Sequence, residues 1–291
     1  MDRVKTTETP QASRERTGNA WSGGASIAAI AGRFAVALAA GVCVAFLSLP
    51  LLALLMRVPI DSLFAYLQDP LVTSALQLSA VSSVCSLVLI LLFGTPLAYL
   101  LARSAFRGKR VVETLIELPL VLPPAVAGVA LLFAFGRRTP IGEFLHGLNL
   151  DVAFTLAAVV LAQTFVSAPF YIKSARAGFQ SVPRDTMDAA QTEGASGAQV
   201  FRYVVVPLAL PSLAGGAIMS WARAVGEFGA TILFAGNFQG STQTMPLAIY
   251  TAMESDINAA IVLSAILVVT SFTVLLVFKL LSGRGLDVMP E

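Results

Sequence analysis

Long apolar segments without charge alternate with short polar segments along most of the chain. A membrane-spanning α-helix needs about 20 predominantly apolar residues, and four uncharged segments meet this requirement: 34–55, 71–102, 152–172 and 259–278. Two further segments are less regular, since 118–136 contains several prolines and 212–235 contains two charged residues. The pattern therefore predicts an all-α integral membrane protein with six transmembrane helices.

The composition agrees with this prediction. The 291 residues are 56% hydrophobic and 12% charged, with a mean hydropathy of +0.79, whereas about a quarter of the residues in soluble domains are charged. The first apolar segment is longer than the ~7–15 apolar residues of a signal peptide, so we expect an uncleaved first helix over 33–57. Residues 1–32 are mostly small and polar, and we predict a disordered N-terminal tail there. Residues 282–291 are predicted to form a C-terminal tail.

The distribution of basic residues predicts the orientation in the membrane. Six crossings place both termini on one side, together with the loops around 103–113 and 173–211. Fifteen Lys and Arg residues fall on that side, and the opposite side has three: Arg57, Arg137 and Arg138. Because cytoplasmic loops carry an excess of Lys and Arg, we expect both termini and the 173–211 loop to be cytoplasmic. We interpret Arg137 and Arg138 as interfacial residues, and His146, the single histidine, as an ordinary external-loop residue.

The polar loop 173–211 carries the signals of two short helices. Pro183 and Asp185 resemble a helix start, and Gly194 is a plausible C-terminal glycine. Ser196 and Gln199 have the spacing of a capping box, which predicts a second short helix to about Tyr203; Pro207 and Pro211 precede the next span. We predict an elbow that docks on a soluble partner, with Ala189 and Ala190 leaving one side free of bulk. The alternative is an ordinary loop between two spans.

This loop resembles a motif of known transporters. Asp188-Ala189-Ala190, three residues, Gly194, nine residues and Val204-Val205-Val206-Pro207 resemble the Glu-Ala-Ala loop of ABC importer permeases, with Asp in place of Glu. The resemblance implies a coupling helix that docks on a nucleotide-binding subunit. Since no phosphate-binding loop occurs in the chain, we expect ATP and Mg²⁺ to be bound by that separate subunit. The chain itself is then neither an enzyme nor a cofactor-binding protein.

Arg223 and Glu227 are the two charged residues of the segment 212–235. Ionisable side chains at membrane depth face the bundle interior or an aqueous path rather than lipid, and Ala222, Gly226 and Ala230 beside them form a stripe of small residues that favours close packing. An ion pair within one helix explains both charges, and we favour this structural role over contact with a substrate.

The loop after this segment is rich in neutral polar groups. Its candidate ligands for a tetrahedral oxyanion are Asn237, Thr242, Gln243 and Thr244. A loop that is simply rich in turn residues is the alternative interpretation. Apolar residues return at 245–250, which suggests a partly re-entrant element near the outer mouth.

The segments 222–231, 234–237 and 242–250 closely resemble molybdate ABC transporter permeases, and 94–103 and 118–124 fit the same family. The resemblance covers about residues 70–280 and implies a type I ABC importer fold over 70–281. It further implies a homodimer in the inner membrane, two ATPase subunits, a periplasmic molybdate-binding protein, and import by alternating access. Lipid, but no nucleic acid, is among these partners.

Two other functions stay open. Sulfate/thiosulfate permeases share part of these motifs, although 228–231 and 242–244 favour molybdate. A secondary transporter driven by an ion gradient would use Arg223, Glu227 and the proline-broken third span as its coupling site. A requirement of uptake for ATP and a soluble partner would distinguish the two mechanisms.

Overall fold

The computed structural model describes residues 22–286, and all regular structure in that range is helical. The all-α prediction is confirmed. In chain order the α-helices are α1 (Ser22–Leu55), α2 (Leu63–Gln68), α3 (Pro70–Arg103), α4 (Lys109–Val121), α5 (Pro124–Phe135), α6 (Pro140–Gly147), α7 (Leu156–Ser181), α8 (Arg184–Thr192), α9 (Gly197–Val200), α10 (Val206–Val225), α11 (Gly229–Phe234), α12 (Met245–Ser255) and α13 (Ile257–Leu286). Ile60–Ser62 form a 3₁₀ turn, and Phe201–Val205 form a π-helical turn.

The chain divides into two units, Met1–Ala53 and Leu54–Glu291. In the first unit, α1 begins at Ser22, within the segment for which we predicted disorder. Residues 1–21 and 287–291, which belong to the two predicted tails, lie outside the described residues.

Three helices, α3, α7 and α10, form the centre of the second unit. Side chains of α3 and α7 meet in the same order along both helices, since Ser86 shares a hydrogen bond with Thr164 and Thr95 shares one with Tyr171. At the far end, the Arg103 guanidinium donates to the Val182 carbonyl. The two helices therefore run parallel, and their C-terminal ends lie on the same side of the molecule.

Small residues allow α10 to pack closely against α7 in the opposite direction. The Ser174 hydroxyl donates to the Ser212 carbonyl at 2.7 Å, and the Ser220 hydroxyl donates to the Ser167 carbonyl at 2.8 Å. A Cβ atom added to Gly216 would lie 2.7 Å from Cβ of Ser174. Such close approach of two backbones is typical of membrane helices with small interfacial residues.

Replacing Gly216 with alanine is therefore expected to destabilise the protein. The added methyl group would lie 2.7 Å from Cβ of Ser174, so the two helices must shift. Overpacking costs about 1–3 kcal/mol, and most of this range lies above the ~1 kcal/mol that alanine contributes to an ordinary helix. Gly147→Ala is the matched control, because nothing lies within 4 Å of its added Cβ. Thermal unfolding in detergent should show a lower Tm for Gly216→Ala alone. An equal or higher Tm for both variants would contradict the close packing.

The third predicted span, 118–136, is not one straight helix. The chain runs through α4 and α5, whose axes differ by 119°. Leu122 is extended because residues before a proline avoid helical geometry, and the consecutive prolines Pro123 and Pro124 begin the next helix. The α4 helix lies antiparallel to the end of α7, as two ion pairs show: Glu113 with Arg176 and Glu117 with Lys173.

This bent pair still serves as one crossing. Because α3 and α7 run parallel, the chain must return from the end of α3 to the start of α7 between them. The α4–α5 pair, followed by α6, makes that return. Among residues 22–286, five helices are long and apolar enough to cross a membrane, and counting the bent pair as one span gives six. The chain is thus a multi-pass membrane protein, as the apolar pattern predicted.

The boundaries of the fourth and fifth predicted spans differ from those in the structure. The α7 helix continues past residue 172 to Ser181. The next helical stretch begins at Gly197, well before the predicted residue 212, and runs without interruption to Val225. The short second helix of the predicted elbow is therefore the first turn of a long helix rather than a separate element.

Candidate functional site

The first candidate site is the elbow that follows α7. The α8 helix begins after an extended Pro183 and ends at Thr192, and two residues later the chain turns at Gly194, whose φ is +94°. The backbone N–H of Ala195 donates to the Ala190 carbonyl, and that of Gly194 donates to the Gln191 carbonyl. These are the two hydrogen bonds of the Schellman motif, which requires a left-handed residue at the glycine position. The structure therefore agrees with the predicted helix end.

One side of α8 packs on the protein and the other faces outward. Met187, Ala190 and Ala195 pack against a buried apolar cluster that contains Phe179, Val182, Val200 and Val205. Asp188 and Ala189 are exposed on the opposite side. The two alanines therefore do not form one bare side, because neighbours in a helix point about 100° apart. Ala190 anchors the elbow, and Ala189 belongs to its free surface.

The capping box predicted for the second part of the elbow is present. The Ser196 hydroxyl accepts a hydrogen bond from the backbone N–H of Gln199, and the Gln199 side-chain oxygen accepts one from the N–H of Ser196. The helix that starts there passes Pro207 without a break. Because proline has no N–H and its ring crowds the preceding turn, the helix widens to a π-helical turn in which the Val206 N–H donates to the Phe201 carbonyl.

The second candidate site, the Arg223–Glu227 pair, lies at the other end of α10. The helix ends at Val225, so Glu227 lies in the break before α11 and not in the helix that we predicted. Its carboxylate is only 1% exposed, forms an ion pair with Arg223 at 2.6 Å and accepts a hydrogen bond from the Ala230 N–H at 2.8 Å. The same break ends the stripe of small residues, because Gly226 is exposed whereas Ala230 is buried.

The residues proposed as outer-mouth ligands form a packed turn. Thr242, Gln243 and Thr244 are buried, which we did not predict for a polar loop. Thr251 on α12 holds this turn, because its hydroxyl accepts hydrogen bonds from the side chains of Asn237 and Gln243. The Thr244 hydroxyl has no hydrogen-bond partner among the described residues. The side chains of Thr242, Gln243 and Thr244 thus face protein rather than bulk solvent, whereas residues 238–241 of the same loop are exposed.

The sequence analysis missed a row of buried polar residues on α3. Ser79, Ser82, Ser83 and Ser86 are all buried, and their spacing places them on one face of the helix. Ser79 accepts a hydrogen bond from the Met245 N–H at 2.7 Å, which ties α3 to the start of α12. The helical spacing of these four serines within an apolar segment was the signal that could have identified them.

His146 lies in α6 and not in a loop as we predicted. Its Nδ1 atom lies 3.0 Å from one carboxylate oxygen of Asp151, and the Arg137 guanidinium lies 2.9 Å from the other. The hydrogen bond with His146 and the nearby charge of Arg137 lower the pKa of Asp151 below its ordinary value. The cluster is exposed and ties α6 to the start of the following loop.

The predicted site residues thus lie in two places. The elbow residues lie beside the ends of α3 and α7. Arg223 lies in the last turn of α10, and Glu227 and the turn at 242–244 follow that helix in the chain. Both regions lie within the part of the chain that matches one known family. Residues 94–286 match the model of the family described as the binding-protein-dependent transport system inner membrane component. The chain belongs to this family.

Individual relatives of this permease cover most of its length. It is 44% identical over 233 residues to the molybdenum transport system permease protein ModB of Mycobacterium tuberculosis, covering 80% of this chain and 88% of the relative. It is 38% identical over 244 residues to the molybdate/tungstate transport system permease protein WtpB of Pyrococcus furiosus, covering 83% and 92%.

The fold of the permease also occurs in solved transporters. A chain of the bacterial alginate ABC transporter in complex with an alginate pentasaccharide-bound periplasmic protein superposes with a TM-score of 0.66 at 17% identity, covering 86% of this chain and 92% of that chain. At this identity the likeness concerns the fold alone. The predicted type I importer architecture is confirmed, and the permease is the membrane component of an ABC transport system.

Proposed function

We propose that this permease is the membrane-spanning subunit of an ATP-driven importer of molybdate or tungstate. The observation that carries the proposal is the identity of 44% with a molybdenum permease across 80% of the chain. The relative named for molybdate and tungstate supports the same substrate class. Sulfate transport is not favoured by these relatives, and neither is a mechanism driven by an ion gradient.

The elbow is the proposed docking surface for the ATPase. Its exposed part combines charged side chains with a hollow of about 330 Å³ beside the Gly194 turn, lined by Glu193, Gly194, Ala195, Gln199, Val200, Tyr203 and Val204. A helix presented on a rigid base next to a hollow suits recognition by a groove of another protein. We expect two ATPase subunits to bind two copies of the permease in this way, on the cytoplasmic side.

The packing of the elbow supports a role in transmitting movement. Residues of α8 share one apolar cluster with Leu101 of α3, Phe179 of α7 and Ala209 of α10. A displacement of α8 by the ATPase therefore acts on all three central helices together. Import by alternating access requires that ATP and the loaded external binding protein favour different arrangements of these helices. Each then shifts the equilibrium between the two conformations, and in this way it changes the binding of the other.

Uptake into proteoliposomes tests the proposal. The permease is reconstituted with its ATPase, and labelled molybdate is supplied with the cognate binding protein. We expect uptake that requires ATP and the binding protein, and that unlabelled tungstate inhibits more strongly than sulfate. Stronger inhibition by sulfate would change the assigned substrate. Uptake that follows an imposed ion gradient without ATP would overturn the assignment to an ATP-driven importer.

A further inference from the structure

Arg223 and Glu227 are isolated charges at membrane depth. Among the described residues, α5, α10 and the segments 70–102, 156–172 and 257–278 contain no other Lys, Arg, Asp, Glu or His, and the ion pairs between α4 and α7 lie towards the opposite end of the bundle. The Ser220 hydroxyl contacts the Ser167 carbonyl, eleven positions after the start of α7. At 1.5 Å per residue, Ser167 lies about 17 Å and Arg223 about 12 Å from that end of the bundle. Arg223 is therefore well inside an apolar layer about 30 Å thick.

The two members of the pair are buried to different extents. The Glu227 side chain is 1% exposed, and both its ion pair and its hydrogen bond to the Ala230 N–H are internal. The Arg223 side chain is 29% exposed. One guanidinium nitrogen, Nη1, points to Glu227, and a guanidinium carries five N–H donors. Glu227 thus fixes the orientation of Arg223, while donors of the guanidinium remain available at the surface of the subunit.

Lipid is an unfavourable neighbour for this surface. A charged side chain at this depth faces the bundle interior or a water-filled path, because exposure to hydrocarbon is costly. The adjoining surface of α10 is formed by Met219 and Gly226, which are both exposed, and by Ala222. Glycine and alanine leave the guanidinium unobstructed. Planar donors of this type match the oxygens of a tetrahedral oxyanion.

We propose that the free edge of Arg223 contacts the oxyanion during its passage, and that Glu227 is the positioning residue. This inference rests on the proposed import of molybdate or tungstate. The Glu227 carboxylate keeps the net charge of the pair at zero, so the contact is weak enough to release the anion again. Transport requires such a balance, since an anion that binds tightly inside the path leaves it slowly.

The test compares variants of the intact permease–ATPase complex in proteoliposomes. Uptake of labelled molybdate and hydrolysis of ATP are measured together, with the loaded binding protein present. Arg223→Gln should lower the number of molybdate ions imported per ATP by about tenfold or more, which is the effect of losing a charged hydrogen bond. Hydrolysis itself should change little, because the elbow is intact. Arg223→Lys should restore only part of this ratio, because the charge is retained but the planar pair of donors is lost.

Arg137→Gln is the matched control, because it removes an arginine from an ion pair that lies outside the spans. It should leave the ratio unchanged. An unchanged ratio in Arg223→Gln, or an equal loss in Arg223→Lys, would overturn the inference. If the wild-type complex does not import molybdate at all, it is the proposed function that fails and not this assignment.

A second measurement covers the case in which Arg223→Gln does not assemble. Glu227→Gln keeps the size of the side chain and an oxygen that can accept from Ala230, but removes the negative charge. The detergent-solubilised complex of this variant should bind labelled molybdate severalfold more tightly than the wild type, because the Arg223 charge is no longer compensated. Binding no tighter than that of the wild type would contradict the role of the pair.

Discussion

Replacing Gly194 with valine is expected to abolish ATP-dependent uptake while leaving the protein inserted in the membrane. The reason is the backbone and not the space around it, because φ is +94° and nothing lies within 4 Å of an added Cβ. A residue other than glycine in this conformation costs roughly 1–2 kcal/mol, and β-branching makes the strain worse. The elbow would relieve the strain by breaking its Schellman hydrogen bonds, which would displace α8 from the ATPase.

Gly197→Val provides a matched control for this experiment. Gly197 lies three positions further along, also has nothing within 4 Å, and does not have a positive φ. Its valine variant should therefore retain most of the uptake. Gly194→Asn should retain more activity than Gly194→Val, because asparagine tolerates the left-handed region. Uptake measured with equal amounts of membrane-inserted protein checks these results, and undiminished uptake by Gly194→Val would count against the docking role of the elbow.

The elbow was predictable because its signals are local. A glycine after a helix, and a serine three positions before a glutamine, determine hydrogen bonds between near neighbours in the chain. The approximate positions of the spans were predictable for a similar reason, because apolar length alone decides whether a helix can cross a membrane.

The breaks and continuations of helices were not predictable in this way. Pro207 and Pro211 suggested the beginning of a span, yet the helix passes them after a π-helical turn. Pro123 and Pro124, by contrast, accompany a 119° bend. Whether a proline bends a helix depends on the neighbours that satisfy the freed backbone groups, and these neighbours are distant in sequence.

The burial of the interior polar groups and their hydrogen-bond partners also depend on tertiary contacts, so they could not be predicted from the sequence. The turn at 242–244 resembles an external loop by composition, but Thr251 and α3 bury it. Glu227 looked like a helical residue four positions after Arg223, and the ion pair that this spacing predicted is present. Its hydrogen bond with the N–H of Ala230, in the first turn of α11, could not be predicted without knowing that the helix breaks before Gly229.

Replacing Glu227 with lysine is expected to prevent stable folding more than to change substrate choice. Glu227 is 1% exposed, and the substitution puts a second cation beside Arg223 and removes the acceptor for the Ala230 N–H. Loss of one partner of a buried ion pair costs about 3–5 kcal/mol. Because Arg223 is partly exposed, we expect the loss of the ion pair to cost an energy in the lower part of this range. Burying the charged lysine side chain adds a further cost. The total is a large fraction of the ~5–15 kcal/mol that stabilises a typical protein.

Measurements of folding and of substrate preference separate these two effects. Glu227→Lys should give little monodisperse protein in detergent and a clearly lowered Tm, whereas Glu227→Gln should fold because it keeps the acceptor and adds no cation. Asp151→Lys is the matched control: it also reverses an acidic member of an ion pair with arginine, but the pair lies outside the spans, Asp151 is partly exposed and its partner Arg137 is 67% exposed. Its folding should be nearly unaffected, since exposed ion pairs contribute at most about 1 kcal/mol. A well-folded Glu227→Lys variant with a changed preference between molybdate and sulfate would show instead that the carboxylate itself selects the anion, because a positioning residue acts only through the arginine that it holds.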